Sequence, residues 1–344
     1  MAANSWKLSG ALRCLCIVLV PLGFAAPLSA KPVLTLLPAD TEANAINDSG
    51  VVVGIIPGYG TGFVRTPDGT MTTFKAEDSY SWTTPESINN SGVTAGSYLV
   101  NSTYVTHGFV RDAVGGITTF DAPGAGNQQY QGTFAQSINA QGVIAGYYAD
   151  ISGHVHGYMR AAAGTVTSFD VPGAAYTWAW SINDKSSIAG YWSADNSTNY
   201  HGFVRSAAGK ITTFDPPGAA YVGYGTAINL KGVITGTYTD ETNVAHGYVR
   251  QPGGAFTTFD IPSGLIVYSN AINTKGTVAG TGGQSKTGFP GFVRYQNGTI
   301  RAINVPKSMG NYTSGINKDG VVVGSAQVPA AHHQTEWYGF IWTP

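Results

Sequence analysis

The sequence predicts an all-β fold, a seven-bladed β-propeller with four-stranded blades, and a repeated dipeptide is the main reason. Ile-Asn recurs seven times at a near-constant interval, with its asparagine at Asn47, Asn89, Asn139, Asn183, Asn229, Asn273 and Asn317, and one further copy, Ile303-Asn304, lies outside this series. The intervals are 42, 50, 44, 46, 44 and 44 residues, and a period in the mid-forties is typical of one propeller blade. The chain also has 46 glycines and no helical period in its apolar residues, which favours short strands joined by glycine turns.

Each repeat contains four segments with strand character, and the third repeat shows them clearly. The innermost strand ends in QSIN, and the Asn-x-x-Gly turn at residues 139–142 leads into the second strand, VIAGYY. HGYMR is the third strand, VTSFD is the fourth, and VPGA begins the crossover to the next repeat. An unbroken apolar second strand is expected where neighbouring blades cover both faces of the sheet.

The two ends of the repeat region complement each other. The seventh repeat ends at its third strand, WYGFIWTP, whereas an extra strand-like segment, PVLTLLP, precedes the first Ile-Asn. We expect Val33–Leu37 to pair beside Gly339–Trp342 and close the ring, because that pairing hides edges that an open sheet would expose. Residues 31–344 are therefore predicted to form a single seven-bladed domain.

Residues 1–30 are predicted to be a secretory signal peptide. Lys7 and Arg13 precede the apolar run LCIVLVPLGFAA, and the small residues Ser29 and Ala30 follow it. Both cysteines of the chain, Cys14 and Cys16, fall inside this segment, so the mature protein would contain no thiol. We therefore expect a secreted or periplasmic protein.

The charge pattern narrows the class of partner. The net charge is −1 and charged residues make up 11% of the chain, so no basic block is available for the phosphates of a nucleic acid. Neither an acidic tail nor a basic amphipathic helix is present for a membrane surface. We expect a monomer without a cofactor, with no nucleic-acid or membrane partner, whose ligand is an extracellular polysaccharide.

The repeat pattern resembles that of the bacterial extracellular HAF-repeat proteins. The family pattern IN..G.vvG matches the inner strand and turn, and the HAF-like element that follows it reads HGFV or HGYV here. The resemblance extends from Asn44 to Trp342, and it departs from the family by placing glycine where the family name has alanine. It implies a secreted β-propeller and no particular activity.

Histidine and aspartate recur together at a spacing of 14 residues. The pairs are His107 with Asp121, His156 with Asp170, His201 with Asp215, and His246 with Asp260. The first and sixth repeats lack both members, which are replaced by Thr61 with Lys75 and by Pro290 with Asn304. Joint loss predicts a direct contact across adjacent strands. A repeated metal or acid–base site is the alternative, but pairs that diverge around a ring favour a structural role.

Aromatic residues concentrate at one end of the predicted disc, which we call the long-loop rim. It consists of residues 77–87, 126–134, 147–156, 175–181, 191–200, 220–226 and 238–246. The candidate ligand-binding residues are Tyr80, Trp82, Tyr130, Trp178, Trp180, Trp192, Tyr221 and Tyr224. Flat aromatic faces beside amides and carboxylates suit sugar rings, whose C–H faces stack while their hydroxyls form hydrogen bonds. Packing between blades is the alternative for about half of these rings.

The seventh repeat has the longest connection between its second and third strands, with His332, His333 and Glu336. This group could ligate a metal or supply acid–base chemistry. Its spacing matches no zinc motif, so a solvated loop is favoured and no metal site is predicted.

The sequence thus predicts a secreted propeller that binds an extracellular polysaccharide through the long-loop rim. A polysaccharide lyase or glycoside hydrolase at the same rim is the first alternative, and a protein-interaction platform is the second. An enzyme would need converging carboxylates or another base. The candidate acids are Glu86, Asp150, Asp195, Asp240 and Glu241, and no spacing distinguishes one from another.

Overall fold

The computed structural model describes residues 31–76, 81–195, 199–223, 226–261, 266–283, 290–330 and 335–344. The predicted signal peptide at residues 1–30 lies outside the described residues. So do Tyr80, Tyr224, His332 and His333.

The described chain is all-β, and its repeating unit is an antiparallel meander of four strands. The first meander contains β2 (Glu42–Ile46), β3 (Val52–Ile56), β4 (Thr61–Arg65) and β5 (Met71–Phe74). The second contains β6 (Ser81–Ile88), β7 (Thr94–Val100), β8 (Val105–Arg111) and β9 (Ile117–Phe120). The third contains β10 (Gly132–Ile138), β11 (Ile144–Ala149), β12 (Val155–Arg160) and β13 (Val166–Phe169). A single turn of 3-10 helix, Pro57–Tyr59, connects β3 to β4.

The remaining meanders repeat this order. The fourth contains β14 (Tyr176–Ile182), β15 (Ile188–Ser193), β16 (His201–Arg205) and β17 (Ile211–Phe214). The fifth contains β18 (Ala219–Val222), β19 (Ala227–Ile228), β20 (Ile234–Asp240), β21 (Ala245–Arg250) and β22 (Phe256–Phe259). The sixth contains β23 (Ile266–Ile272), β24 (Val278–Gly283), β25 (Gly291–Arg294) and β26 (Ile300–Ile303). In the fifth meander, β18 and β19 both pair with β20 and together replace a single innermost strand. The C-terminal part supplies β27 (Gly310–Ile316), β28 (Val322–Pro329) and β29 (Thr335–Thr343).

The N-terminal strand β1 (Val33–Ala39) completes the last meander. It pairs antiparallel with β29, with Leu34 opposite Trp342 and Leu36 opposite Phe340. This is the strand pairing that the sequence predicts. The second, third and fourth meanders are also linked into one twelve-stranded sheet by two parallel pairs of residues, Gly132 with Thr106 and Val155 with Tyr176.

The repeated asparagine explains why the dipeptide is Ile-Asn. In Asn139, for example, the side-chain Oδ1 accepts hydrogen bonds from the main-chain N–H groups of Gln141 and Val143, which fixes the turn. Its Nδ2 donates to the main-chain oxygen of Asn183, 3.2 Å away in the next meander. All seven asparagines are buried, and each donates in this way to the next, from Asn47 through Asn317 and back to Asn47.

The core lies between the meanders, where aromatic and arginine side chains interleave. Tyr158 of β12 is fully buried and meets the ring of Phe120, from the preceding meander, edge to face at 6.1 Å. The guanidinium of Arg160 lies over the same phenylalanine ring at 4.8 Å. Arg111, Arg205, Arg250 and Arg294 make the equivalent contact with Phe74, Phe169, Phe214 and Phe259. None of the described residues forms a helix long and apolar enough to cross a membrane.

Candidate functional site

The predicted contacts between histidine and aspartate are present in all four pairs. Nδ1 of His107, His156, His201 and His246 lies 2.9, 3.0, 2.9 and 2.6 Å from the nearest carboxylate oxygen of its aspartate. Each imidazole also packs against an aromatic ring of the second strand at 5.0–5.2 Å, and these rings belong to Tyr98, Tyr148, Trp192 and Tyr238. The pairs are thus part of the repeated scaffold.

Two of these histidines have a second carboxylate partner that the sequence did not reveal. Nε2 of His156 lies 3.4 Å from Asp150, and Nε2 of His246 lies 3.2 Å from Asp240. Main-chain N–H of Val244 and the hydroxyl of Thr242 are the main donors that hold the pKa of Asp240 down at about 2. Burial lowers the pKa of His246, but its hydrogen bonds to Asp260 and Asp240 outweigh burial and raise it.

These histidine units occupy separate meanders and do not converge. Within the described ranges, no three histidine, cysteine, aspartate or glutamate side chains are grouped so as to hold a metal ion. Glu336, from the histidine-rich connection, accepts a hydrogen bond from the Tyr338 hydroxyl at 2.7 Å.

A cavity of about 510 Å³ lies among the innermost strands, and a recurring β-bulge shapes its wall. The bulged residue stands three positions before the repeated asparagine, where the register with the second strand shifts by one. The residue at this position lines the cavity in all seven repeats. The fifth repeat has Thr226 there, and the six bulge residues of the other repeats are Asn44, Glu86, Gln136, Trp180, Asn270 and Ser314. Six different residue types occupy this position in the seven repeats, whereas a small residue and Ile-Asn follow it in every repeat.

On one side of the cavity, the residues at this position form hydrogen bonds between neighbouring meanders. Asn44 donates to the main-chain oxygen of Pro85 at 2.8 Å, and Asn270 donates to that of Thr313 at 2.7 Å. The hydroxyl of Ser314 donates to the oxygen of Ala43 at 2.6 Å. These three side chains therefore stabilise the ring of inner strands.

The other side of the cavity differs, because its side chains have no such partner. Glu86, Gln136 and Trp180 come from the consecutive inner strands β6, β10 and β14, and they form no hydrogen bond with another described residue. Hydrogen-bonding groups held in a concave wall without a protein partner are available to a ligand. We call these three residues, with Tyr147 of β11, the open wall of the cavity.

Glu86 is the one charged side chain among the described residues that line the cavity. It is half-buried, and removal from water raises the pKa of its carboxyl to about 7. Burial also raises the pKa of the Tyr147 phenol, and the negative charge of Glu86 raises it further. Glu42 lies two residues before Asn44 on β2, and burial raises the pKa of its carboxyl too.

A continuous series of aromatic rings runs outward from the open wall. Tyr147 stacks on Phe134 at 4.9 Å and on Trp180 at 6.3 Å, with interplanar angles of 16° and 10°. Beyond Trp180 the series continues through Tyr191, Trp178 and Tyr176, with centroids separated by 5.9, 5.0 and 5.6 Å. The series thus joins two neighbouring meanders, and it passes through the buried ring of Tyr191 between Trp180 and Trp178.

The predicted ligand-binding residues are only partly brought together. Trp178 and Trp180 belong to this series, whereas Trp82 on β6 and Tyr130 before β10 lie outside it and are 45% and 70% exposed. Tyr221 is half-buried on β18. Trp192 stacks on His201 at 5.1 Å, in the position that Tyr98, Tyr148 and Tyr238 occupy in other repeats.

Comparison with known proteins supports the fold. No protein-family model matches the chain, and no curated protein matches it. Among solved structures, virginiamycin B lyase from Staphylococcus aureus is similar with a TM-score of 0.62 and 13% identity, over 91% of this chain and 100% of that one. A streptogramin B lyase gives a TM-score of 0.59 and 13% identity, over 90% and 97% of the two chains. A prolyl endopeptidase structure gives 0.58 and 10%, over 89% of this chain and 50% of that one. At these identities the likeness shows an all-β, propeller-like fold alone.

Proposed function

We propose that this chain is an exported seven-bladed propeller that binds a polysaccharide at its long-loop rim, with the central cavity as the floor of the site. The observation that carries the proposal is the open wall, where Glu86, Gln136 and Trp180 form no hydrogen bond with another described residue. Such groups leave hydrogen-bonding and stacking capacity unused in a place that water or a ligand must fill.

The strand pattern supports seven blades. Each of the seven repeats has its meander, and the last meander takes its fourth strand from β1. The hydrogen bonds between the asparagines also return to their starting residue after seven steps. A ring of this kind fixes the innermost strands, so the cavity between them is preformed.

The chemistry of the cavity suits a sugar. Its volume, about 510 Å³, falls in the range of roughly 300–1,000 Å³ that is common for small-ligand pockets. The indole of Trp180 offers a flat apolar face, and the amide of Gln136 on the next strand can both donate to and accept from hydroxyl groups. The aromatic series through Trp178 would extend the contact toward further sugar residues of the chain.

Binding fits the described carboxylates better than hydrolysis or lyase chemistry does. A glycosidase needs two carboxyl groups on opposite sides of the bond that it cleaves. Asp150 and Asp240 bind histidines, and neither Asp195 nor Glu241 lines the cavity. Of the five candidate acids, Glu86 is therefore the one in the described cavity wall. A protein-interaction platform accounts less well for unpartnered groups that are set back in a cavity.

A glycan array probed with the mature chain tests the proposal. We expect a family of oligosaccharides to bind, with no new reducing or unsaturated ends after incubation. Gln136→Ala should weaken this binding, whereas Gln141→Ala should leave it unchanged, because Gln141 lies in the exposed turn that follows β10 and does not line the cavity. Absence of any bound glycan, or equal binding by both variants, would overturn the proposal.

A further inference from the structure

We propose that the sugar bound in the cavity carries a free amino group, which the carboxylate of Glu86 receives as an ammonium ion. The ligand class is thus an amino sugar with an unsubstituted amine, rather than a neutral or an acidic sugar. This inference rests on the proposed function and specifies its ligand.

The first argument is the charge of the cavity. The carboxylate of Glu86 has no hydrogen-bond or ion-pair partner among the described residues, and no lysine, arginine or histidine lines the described wall. Partial burial of an ionised carboxylate costs free energy when no hydrogen-bond donor or cation replaces the water that the carboxylate has lost. A ligand that brings a positive charge supplies the missing partner, whereas a uronic acid would add a second negative charge.

The second argument is the aromatic surroundings of Glu86. Trp180 lines the same cavity and stacks on Tyr147. The negative charge of Glu86 raises the pKa of the Tyr147 phenol. The faces of tryptophan and tyrosine attract cations as well as the C–H faces of sugars. One ring can therefore stack on the sugar while its neighbourhood favours an ammonium group.

Binding of an ammonium group at Glu86 should be coupled to the protonation of its carboxyl, and this coupling can be measured. Tyr147 on β11 and Glu42 on β2 carry no positive charge. Of the other titratable groups on strands packed against β6, Tyr98 on β7 stacks on His107, and Arg65, at the end of β4, donates to the main-chain oxygen of Thr66. An ammonium ion bound to Glu86 favours its ionised form, so binding should release a proton when the free carboxyl is still partly protonated. A neutral sugar has no such linkage.

Three tetrasaccharides with the same β-1,4 linkage separate the possibilities, because they differ only at carbon 2. They are the tetramers of glucosamine, of N-acetylglucosamine and of glucose, and the measurement is isothermal titration calorimetry in two buffers of different ionisation enthalpy at pH 5.5, where the free amine is already largely protonated and a released proton therefore comes from Glu86. We expect the glucosamine tetramer to bind at least tenfold more tightly than the other two and to release a proton. Glu86→Gln should abolish both effects, while Asp68→Asn, in an exposed turn between β4 and β5, should preserve them.

The failures of this inference and of the proposed function can be distinguished. Equal affinity for the three tetramers, or an amine preference that survives in Glu86→Gln, would overturn the amino-sugar inference and leave polysaccharide binding in place. Binding of none of them, together with a blank glycan array, would overturn both. Circular dichroism and thermal melting of Glu86→Gln would show that the variant is folded.

Discussion

The side-chain Nδ2 of Asn317 lies 3.3 Å from the main-chain oxygen of Asn47, although 270 residues separate the two in sequence. The same contact joins each preceding asparagine to the next one along the chain. The amide therefore has two roles: its oxygen fixes a turn within one meander, and its nitrogen connects that meander to its neighbour. A bond from the last repeat to the first is what a closed ring requires.

Removing one of these amides should destabilise the fold. Asn183 is buried, and its side chain bonds to the main chain of Lys185, Ser187 and Asn229 at 2.9–3.0 Å. We expect Asn183→Ala to lower the free energy of unfolding by about 2–4 kcal/mol, because several buried groups lose their partner at once. Chemical denaturation measures this. Asn297→Ala, in an exposed turn, should cost less than about 1 kcal/mol, and similar losses in both variants would contradict a special role for the ring.

The N-terminal strand should be essential for cooperative folding. Leu37 is buried against Ala43, Val52 and Phe63 of the first meander, and its strand pairs with β29. Deletion of residues 31–38 exposes the edge of β29 and removes this apolar contact. We expect a lower and broader thermal transition by calorimetry. A transition of unchanged midpoint and width would refute the proposed closure of the ring.

The histidine–aspartate pairs should contribute to stability and not to binding. His156→Ala should reduce the free energy of unfolding by about 1–3 kcal/mol, because it leaves the carboxylates of Asp170 and Asp150 without their imidazole. Combined with Asp170→Ala, the loss should be smaller than the sum of the two single losses. Strict additivity in this double-mutant cycle would mean that the contact has no energetic coupling.

The carboxyl of Glu86 should make stability depend on pH. Its pKa of about 7 in the folded chain exceeds the ordinary value of 4.5, so the folded state binds the proton more tightly than the unfolded state does. The stability from this group is therefore complete below about pH 4.5 and is lost as pH rises through 7. Glu86→Gln should match the natural chain at pH 4 and exceed it by about 3 kcal/mol at pH 8, from roughly 1.4 kcal/mol per pKa unit. The free energy of unfolding is measured for both chains between pH 4 and pH 8, and a constant difference between them over this range would contradict the prediction.

Sequence reasoning predicted most of the fold because each blade repeats local signals. The Asn-x-x-Gly turn and the joint loss of histidine and aspartate both report on contacts within one meander, and both were confirmed. The bond from Asn139 to Asn183 was missed, since a turn alone explains the asparagine oxygen and says nothing about its nitrogen. The signal was nevertheless present: aspartate or glycine would also suit the turn, yet every repeat has asparagine.

The candidate site was harder to predict because a β-bulge breaks the alternation of a strand. Gln136 and Trp180 reach the cavity through such bulges, and no pattern of two-residue period reveals them. Their signal is variability at one fixed position, three residues before the repeated asparagine. Trp192, by contrast, occupies a position that other repeats fill with tyrosine, so its place in the repeat is less distinctive than its residue type suggests.

Two single tryptophan variants test the central claim, that the ligand lies over the open wall of the cavity, most directly. Binding of the tightest-binding array oligosaccharide and the thermal midpoint are measured for Trp180→Ala and Trp192→Ala. We expect Trp180→Ala to weaken binding by about 1–3 kcal/mol with a small change in melting, as for other aromatic anchors. Trp192→Ala should lower the midpoint and preserve the affinity, because its ring packs on His201. Unchanged binding in a folded Trp180→Ala, with loss of binding in Trp192→Ala, would contradict the account.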